Sequence, residues 1–425
     1  MDGLQIGNSR WYKLDNAAHI YPAMRNASDS CVFRIAANLD HVIDPECLQR
    51  AVVDLKPRFP SMYVRLKSGL FWNYCEYNEK NPVVRPEPPY VNHNIDSHEN
   101  NNYLFTFYYY NRRISMEAFH SLCDGYGAME MLKAILFRYF ELKGHKMENN
   151  GLVMTASQTP DPREIEDSFI KNYTSSKRER ATVKRAYHIR GSRLVLREGI
   201  GVITGRVQTS ALLSLAKKCG ATLTQYLAAA LTFCISSTED AKKSDKPVNI
   251  CVPVNMRKIC DSQTLRNFTL FFYTSAEGRM EFSELVETLK TQFETGLNKA
   301  NLQRTLNANV AMERNLGLRM VPLFIKNAGI RVVLSNLDNK IKTATISNLG
   351  QVALPPSMSG MVRDFSVHLP MGSKSTHGVG VISCGGVTTI SFSRSIYETD
   401  IEKLFFTFLS GEGLDISIQS NFREG

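Results

Sequence analysis

The sequence predicts an α/β protein of two lobes, each mixing sheet with helix, joined by a polar crossover. Three observations predict it. The chain has 425 residues, 43% of them hydrophobic, which is enough for two cores rather than one. Period-two apolar runs and helical stripes occur in both halves. Between the halves, from about residue 145 to 195, apolar periodicity fades into polar, proline-bearing and then basic sequence.

In the first half, "CVFRIAANL" (31–39), "LFWNYCEY" (70–77), "YLFTFYYY" (103–110) and "RRISMEAF" (112–119) alternate as strands do. "DPECLQRAVVDLKPRFP" (44–60) reads as a capped helix stopped by prolines. Asn111-Arg112 marks a hairpin bend. The basic run "SSKRERATVKRAYHIRGSR" (175–193) is either a solvated linker or an anion-binding arm. The expected division is therefore a first lobe over 1–175, a crossover over 176–198 and a second lobe over 199–425.

The second half opens with two helices, "TSALLSLAKKCG" (209–220) and "TLTQYLAAALTFCISS" (222–237), then strands "VNICVPVNM" (248–256) and "NFTLFFYTS" (267–275). Helices are expected near 282–297, 300–315 and 321–328. The strands "TATISNLG" (343–350), "VRDFSVHLP" (362–370), "HGVGVISCGG" (377–386) and "VTTISFSRS" (387–395) come next, and "TDIEKLFFTFLSG" (399–411) is the expected last helix. No short solenoid-type repeat interrupts this order.

Lys plus Arg number 51 against 41 Asp plus Glu, a formal charge of +10, which favours polyanionic partners: a nucleotide, coenzyme A, nucleic acid or a membrane surface. The start, "MDGLQIGNSRWYKLDNAAHIYP", has no apolar run behind a basic patch, so a cytoplasmic protein is expected. "YLAAALTFCI" (226–235) is well short of the ~20 residues of a membrane span. The nine cysteines are scattered and never in a C-x-x-C pair, which argues against a disulfide framework or a zinc site. The other histidines lack metal spacing such as H-E-x-x-H, and no metal is expected. The glycine-bearing stretches 197–205 and 377–386 are not phosphate loops, because neither leads into a helix or a Gly-Lys-Ser/Thr step.

The chemistry-bearing stretch is "RRISMEAFHSLCDGYGAMEMLKAILFRYFEL" (112–142). Ile114, Met116 and Ala118 alternate along a strand that runs up to His120. Met129, Leu132, Leu136 and Phe140 then fall at helical spacing, so a helix begins near Gly125 or Tyr126. Asp124 stands where a carboxylate caps exposed N–H groups. A histidine at such an edge is either structural or a general base, since its ordinary pKa of ~6.5 leaves a neutral imidazole near neutrality.

"FHSLCDGYGAMEML" resembles the HHxxxDG signature of the chloramphenicol acetyltransferase and condensation-domain superfamily, which also includes alcohol acetyltransferases, wax-ester synthases and polyketide-associated acyltransferases. The resemblance implies two α+β two-layer-sandwich lobes set in a V around a central channel. It places the family's general base on His120 and the structural aspartate and glycine on Asp124 and Gly125; the first histidine of the signature is replaced by Phe119. "VPVNMR" (252–257) followed by "RNFTLFF" (266–272) is similar to the segment carrying the aspartate's arginine partner, which makes Arg257 that partner here. "TISNLGQV" (345–352) is similar to a channel-lining Ser-Asn segment, so Ser347 and Asn348 are candidate oxyanion or channel residues; Ser-Asn-x-Gly is equally a common turn composition. Cys123 is not read as a nucleophile, because that position is often cysteine or serine in the signature.

The reaction implied by the resemblance is direct transfer of an acyl group, acetyl in the first instance, from a coenzyme A thioester to an alcohol or amine, with acyl-CoA as co-substrate and no permanently bound cofactor. A small-molecule acceptor, no nucleic acid partner, no transmembrane segment and a monomer are expected. Two alternatives stay open: a stand-alone condensation-type enzyme fed by an acyl carrier protein, and a non-catalytic binding protein on the same scaffold.

Overall fold

The computed structural model describes residues 11–26, 29–175, 184–194, 199–372 and 375–421, with backbone alone over 334–340. In chain order the first half forms β1 (Trp11–Lys13), α1 (Tyr21–Met24), β2 (Val32–Leu39), α2 (Pro45–Asp54), β3 (Val64–Ser68), β4 (Asn73–Tyr77), β5 (Arg85–Pro86), β6 (Phe105–Tyr110), β7 (Arg113–Phe119), α3 (Gly125–Leu142) and α4 (Ser168–Lys171). The second half begins with β8 (Gly201–Gln208), α5 (Thr209–Lys218), α6 (Leu223–Ser236), α7 (Glu239–Lys242), β9 (Val248–Asn255), α8 (Arg257–Cys260) and β10 (Thr269–Ala276). It continues with α9 (Phe282–Gly296), α10 (Lys299–Glu313), α11 (Leu316–Met320), α12 (Leu323–Ile341), β11 (Ala344–Gln351), β12 (Val362–His368), β13 (His377–Cys384), β14 (Val387–Arg394), α13 (Asp400–Gly411) and β15 (Ser417–Ser420).

Local sequence explains the boundaries. The Asp44 carboxylate accepts from the N–H groups of Glu46 and Cys47 with Pro45 in the first turn, which starts α2. Thr222 and Gln225 form a reciprocal capping box that starts α6. Asn111 takes φ 49° in the two-residue turn that pairs β6 with β7. The helix expected near 321–328 extends to 341. "LFWNYCEY" yields a strand only from Asn73, with Leu70 and Trp72 exposed before it.

The strands form sheets in the orders β12-β2-β7-β6-β5, β10-β9-β11-β13-β14-β8-β15 and β1-β4-β3. One core lies between the five-stranded sheet and α2 and α3, around Ile35, Phe105, Met116, Leu132 and Leu136. The other lies under α6, α9 and α13, around Leu227, Ile250, Leu289, Val381 and Phe405. The architecture is the expected mixed α/β, but two details differ from the expectation. α13 is the last helix, as expected, but an unexpected strand, β15, follows it and adds to β8 at the sheet edge. A cut at 176–198 does not separate the sheets, because β12 leaves the second half and pairs antiparallel with β2. Residues 176–183 and 195–198 of that crossover lie outside the described residues.

The reason for the exchange is topological. β11 and β13 are parallel neighbours, and parallel neighbours need a connection that leaves and re-enters the sheet. Here that connection carries β12. Its backbone presses on β13 at Gly380, where a Cβ would come within 2.2 Å of the Val367 carbonyl oxygen. We expect Gly380→Ala to destabilise the protein by about 1–3 kcal/mol in urea unfolding; unchanged stability would mean that β12 is not seated so closely.

Candidate active site

β7 ends at Phe119 and α3 begins at Gly125, so His120 to Asp124 form the turn between sheet and helix. The His120 backbone N–H donates to the Cys31 carbonyl at 3.0 Å, and its carbonyl accepts from Asn267 Nδ2 at 2.9 Å. Both backbone groups are therefore fixed. The imidazole stacks on Tyr21, with centroids 4.8 Å apart and planes 13° apart, and meets Phe33 at 4.6 Å. His120 keeps partial exposure, while Nδ1 is enclosed without a hydrogen-bond partner. Burial pushes the imidazole down to about 4, against the opposing pull of the Asp124 charge. The ring is neutral at physiological pH.

Asp124 is the hub of the turn. Its carboxylate takes a bidentate pair from Arg257, Nη1 to Oδ2 at 2.8 Å and Nη2 to Oδ1 at 3.0 Å. It also accepts from the N–H groups of Gly127 and Phe268 and from Thr269 Oγ1, at 3.0 to 3.2 Å. Arg257 Nε donates to the Thr264 carbonyl, Nη1 also to Asn255 Oδ1, and Nη2 also to the Arg266 carbonyl. All five guanidinium N–H donors are thus used. Burial raises the Asp124 carboxyl, but the Arg257 charge and these hydrogen bonds outweigh it and hold the group below the ordinary carboxylate range.

Gly125 and Gly127, at the start of α3, differ in what they permit. A Cβ at Gly125 would meet only the tip of Leu349, whereas one at Gly127 would lie 2.0 Å from the Leu265 carbonyl oxygen. The close approach of α3 to the 264–269 loop therefore depends on Gly127, which the sequence reading passed over. That reading also gave no role to Asn267, whose Nδ2 bridges the His120 carbonyl to Asp15 Oδ2, or to Tyr21. Asn267 directly follows Arg266 in "RNFTLFF" (266–272), so a signal for it lies in the sequence; Tyr21 has none.

Ser347 and Asn348 are adjacent on β11, so their side chains point to opposite faces. Asn348 is committed elsewhere: Nδ2 donates to Thr224 Oγ1 at 3.0 Å, and Oδ1 accepts from the Gly350 N–H at 2.8 Å. Of the two candidate oxyanion or channel residues, Asn348 therefore has both side-chain atoms engaged. Ser347 shares its face with Leu349, whose side chain lies against Gly125. Burial, with Asp124 beside it, pushes the Cys123 thiol well up and keeps it protonated. Among the described residues, no group of three or more His, Cys, Asp or Glu side chains could hold a metal ion.

No protein-family model matches the chain, and no curated protein matches it in sequence. Solved structures do. TRI101 of F. sporotrichioides, complexed with coenzyme A and T-2, aligns with TM-score 0.63 at 12% identity over 96% of this chain and 100% of that one. Polyketide synthase associated protein 5 of Mycobacterium tuberculosis aligns with TM-score 0.60 at 13% identity over 94% and 96%. The starter condensation domain of rhizomide synthetase RzmA, in complex with C8-CoA, gives TM-score 0.60 at 13% identity over 94% of both chains. The chain therefore has the fold shared by these three proteins.

Removing either partner of a buried, fully bonded pair leaves an uncompensated charge. We expect Asp124→Asn and Arg257→Ala each to cost about 3–5 kcal/mol in chemical unfolding, with the double variant falling short of their sum by more than about 1 kcal/mol. Strict additivity would contradict the direct pairing.

Proposed function

We propose that this chain is an acyltransferase that moves an acyl group from a coenzyme A thioester to an alcohol or amine, with His120 as general base. The observation that carries the reading is the state of the ring: neutral, held between Tyr21 and Phe33, and with Nδ1 as its enclosed nitrogen. Nε2 is then the atom that meets substrate. It takes the acceptor's proton as the acceptor heteroatom attacks the thioester carbon. The tetrahedral intermediate collapses by breaking the C–S bond, and the imidazolium returns the proton to the departing thiolate. Because the imidazole is held down to about 4, its protonated form is a strong enough acid to make that return downhill, a free thiol titrating near ~8.5.

Asp124 supports the reading by being unavailable for other work, since both its oxygens are occupied. Ser347 is the proposed oxyanion donor; one such donor in a water-poor site contributes ~3–4 kcal/mol. The surplus of cations fits a donor that carries phosphates. Fold likeness to coenzyme A-bound TRI101 and to a condensation domain holding C8-CoA supports a thioester donor.

His120→Ala is expected to lower thiol release from acetyl-CoA, assayed with a panel of alcohols and amines, by ~10²–10⁴-fold with little change in the unfolding midpoint. Wild-type rates in that variant would place the base elsewhere. The sign of the pH dependence follows from the lowered pKa: the base form is full at neutrality and lost only as pH falls through about 4. A profile of kcat/KM flat from pH 6 to 8 is expected, and an inflection near 6.5 would contradict it. The same assay with an acyl carrier protein thioester separates the donors; release from no thioester would favour a binding protein.

A further inference from the structure

α12 exposes large apolar side chains. On its described part, the polar Lys326 and Arg331 turn to the protein: Lys326 Nζ donates to the Phe71 carbonyl at 2.7 Å, and Arg331 Nε to the Ala23 carbonyl at 3.0 Å. Phe324, Ile325, Val332 and Val333 are at least half exposed. A surface helix in a water-soluble protein shows the reverse order, apolar inward and charged outward. α11 continues the same surface, since Leu316 and Met320 are more than 70% exposed. The turn before β4 extends it, because the Leu323 N–H donates to the Leu70 carbonyl and Leu70 and Trp72 are both exposed. An apolar area gathered from three segments is the kind that marks an interaction site.

Its charge says what covers it. Residues 312–333 contain Arg314, Arg319, Lys326 and Arg331 against one acid, Glu313, and Glu313 is taken by Asn16 and His19. None of the four cations forms a close ion pair with a described residue; Arg319 acts on Glu313 only through its charge, and Arg314 lies over the Tyr173 ring, 5.0 Å from its centroid. Lys13 adds a fifth over the Trp72 ring, 5.8 Å from its centroid. The chain has two tryptophans, Trp11 and Trp72; both are exposed, and Trp72 lies in the turn that extends this surface. Large apolar side chains outward, a positive balance of charge on the same segment and Trp72 at the margin are the composition of a helix lying in the headgroup boundary of a bilayer. A second copy fits poorly, since a twofold contact would set the same cations against each other.

We propose that the α11–α12 surface, with the Leu70–Trp72 turn, docks on an anionic lipid membrane. No single helix among the described residues is long and apolar enough to cross one, and the pair α5 and α6, which together pass by length and composition, is bent by 78°; α6 is mostly buried. The contact is therefore peripheral. It also lies beside the candidate site: α12 holds the end of α1 through Arg331, and α1 carries Tyr21, the ring stacked on His120. If the proposed reaction holds, and this step rests on it, the acceptor or acyl chain is a membrane-partitioned, apolar molecule that enters from the lipid side.

The test is co-flotation of the full chain with phosphatidylcholine vesicles, with and without phosphatidylserine, read together with tryptophan emission. Binding to the anionic vesicles, a blue shift of emission and about tenfold or more weakening on Arg319→Glu or on raising salt are expected. The double variant F324E/V332E should lose binding while keeping its unfolding midpoint. No flotation with anionic vesicles overturns the proposal, as does equal binding to neutral ones. A large loss of stability in F324E/V332E, or a wild-type dimer that this variant dissolves, would assign the surface to an internal or self contact and overturn it as well. Flotation requires no turnover, so its failure is separable from failure of the proposed reaction.

Discussion

The turn that carries His120 depends on one buried ion pair. Asp124 comes from the β7–α3 junction and Arg257 from α8, 133 residues later, and neither side chain is more than 6% exposed. Two charges removed from water are costly unless each is met by a partner and by hydrogen bonds. Here the requirement is satisfied in full, because the carboxylate accepts five bonds and the guanidinium donates five. The pair thereby fixes the first turn of α3 to the 264–269 loop. The same loop supplies Asn267 to the His120 carbonyl, so the position of the imidazole is inherited from the pair.

That arrangement also sets the ring's charge. Asp124 is close enough to act on His120 electrostatically, yet its charge is already matched by Arg257. Burial among Tyr21, Phe33 and the turn then decides the balance and leaves the imidazole neutral. A carboxylate aimed at the ring would instead hold it protonated near neutral pH. The acid is committed to architecture by the bonds its oxygens already make, and the neutral ring is left for the proton transfer proposed above.

The sequence made local features legible and long-range ones only in part. Alternation and capping located β2, β6, β7, α2, α3 and α6 because those signals lie within a few residues of each other. Arg257 was found only through resemblance, since nothing in its neighbourhood says what it faces 133 residues away. The passage of β12 into the other sheet was hidden because "VRDFSVHLP" reads as a strand whichever sheet receives it. The setting of Asn348 was not legible because a composition shared by turns and channels does not say what its side chain bonds; the structure pairs it with Thr224 and Gly350. The outward apolar face of α12 was invisible for a similar reason: periodicity shows that a helix has two faces, and burial alone shows which one meets water.

The most direct measurement of the central claim is a crystal structure with coenzyme A and an acceptor analogue bound. The thioester position and the acceptor heteroatom are expected to meet at His120 Nε2, with reacting atoms about 3–3.5 Å apart. Coenzyme A seated away from that nitrogen, or an Nε2 closed off from both ligands, would contradict the account.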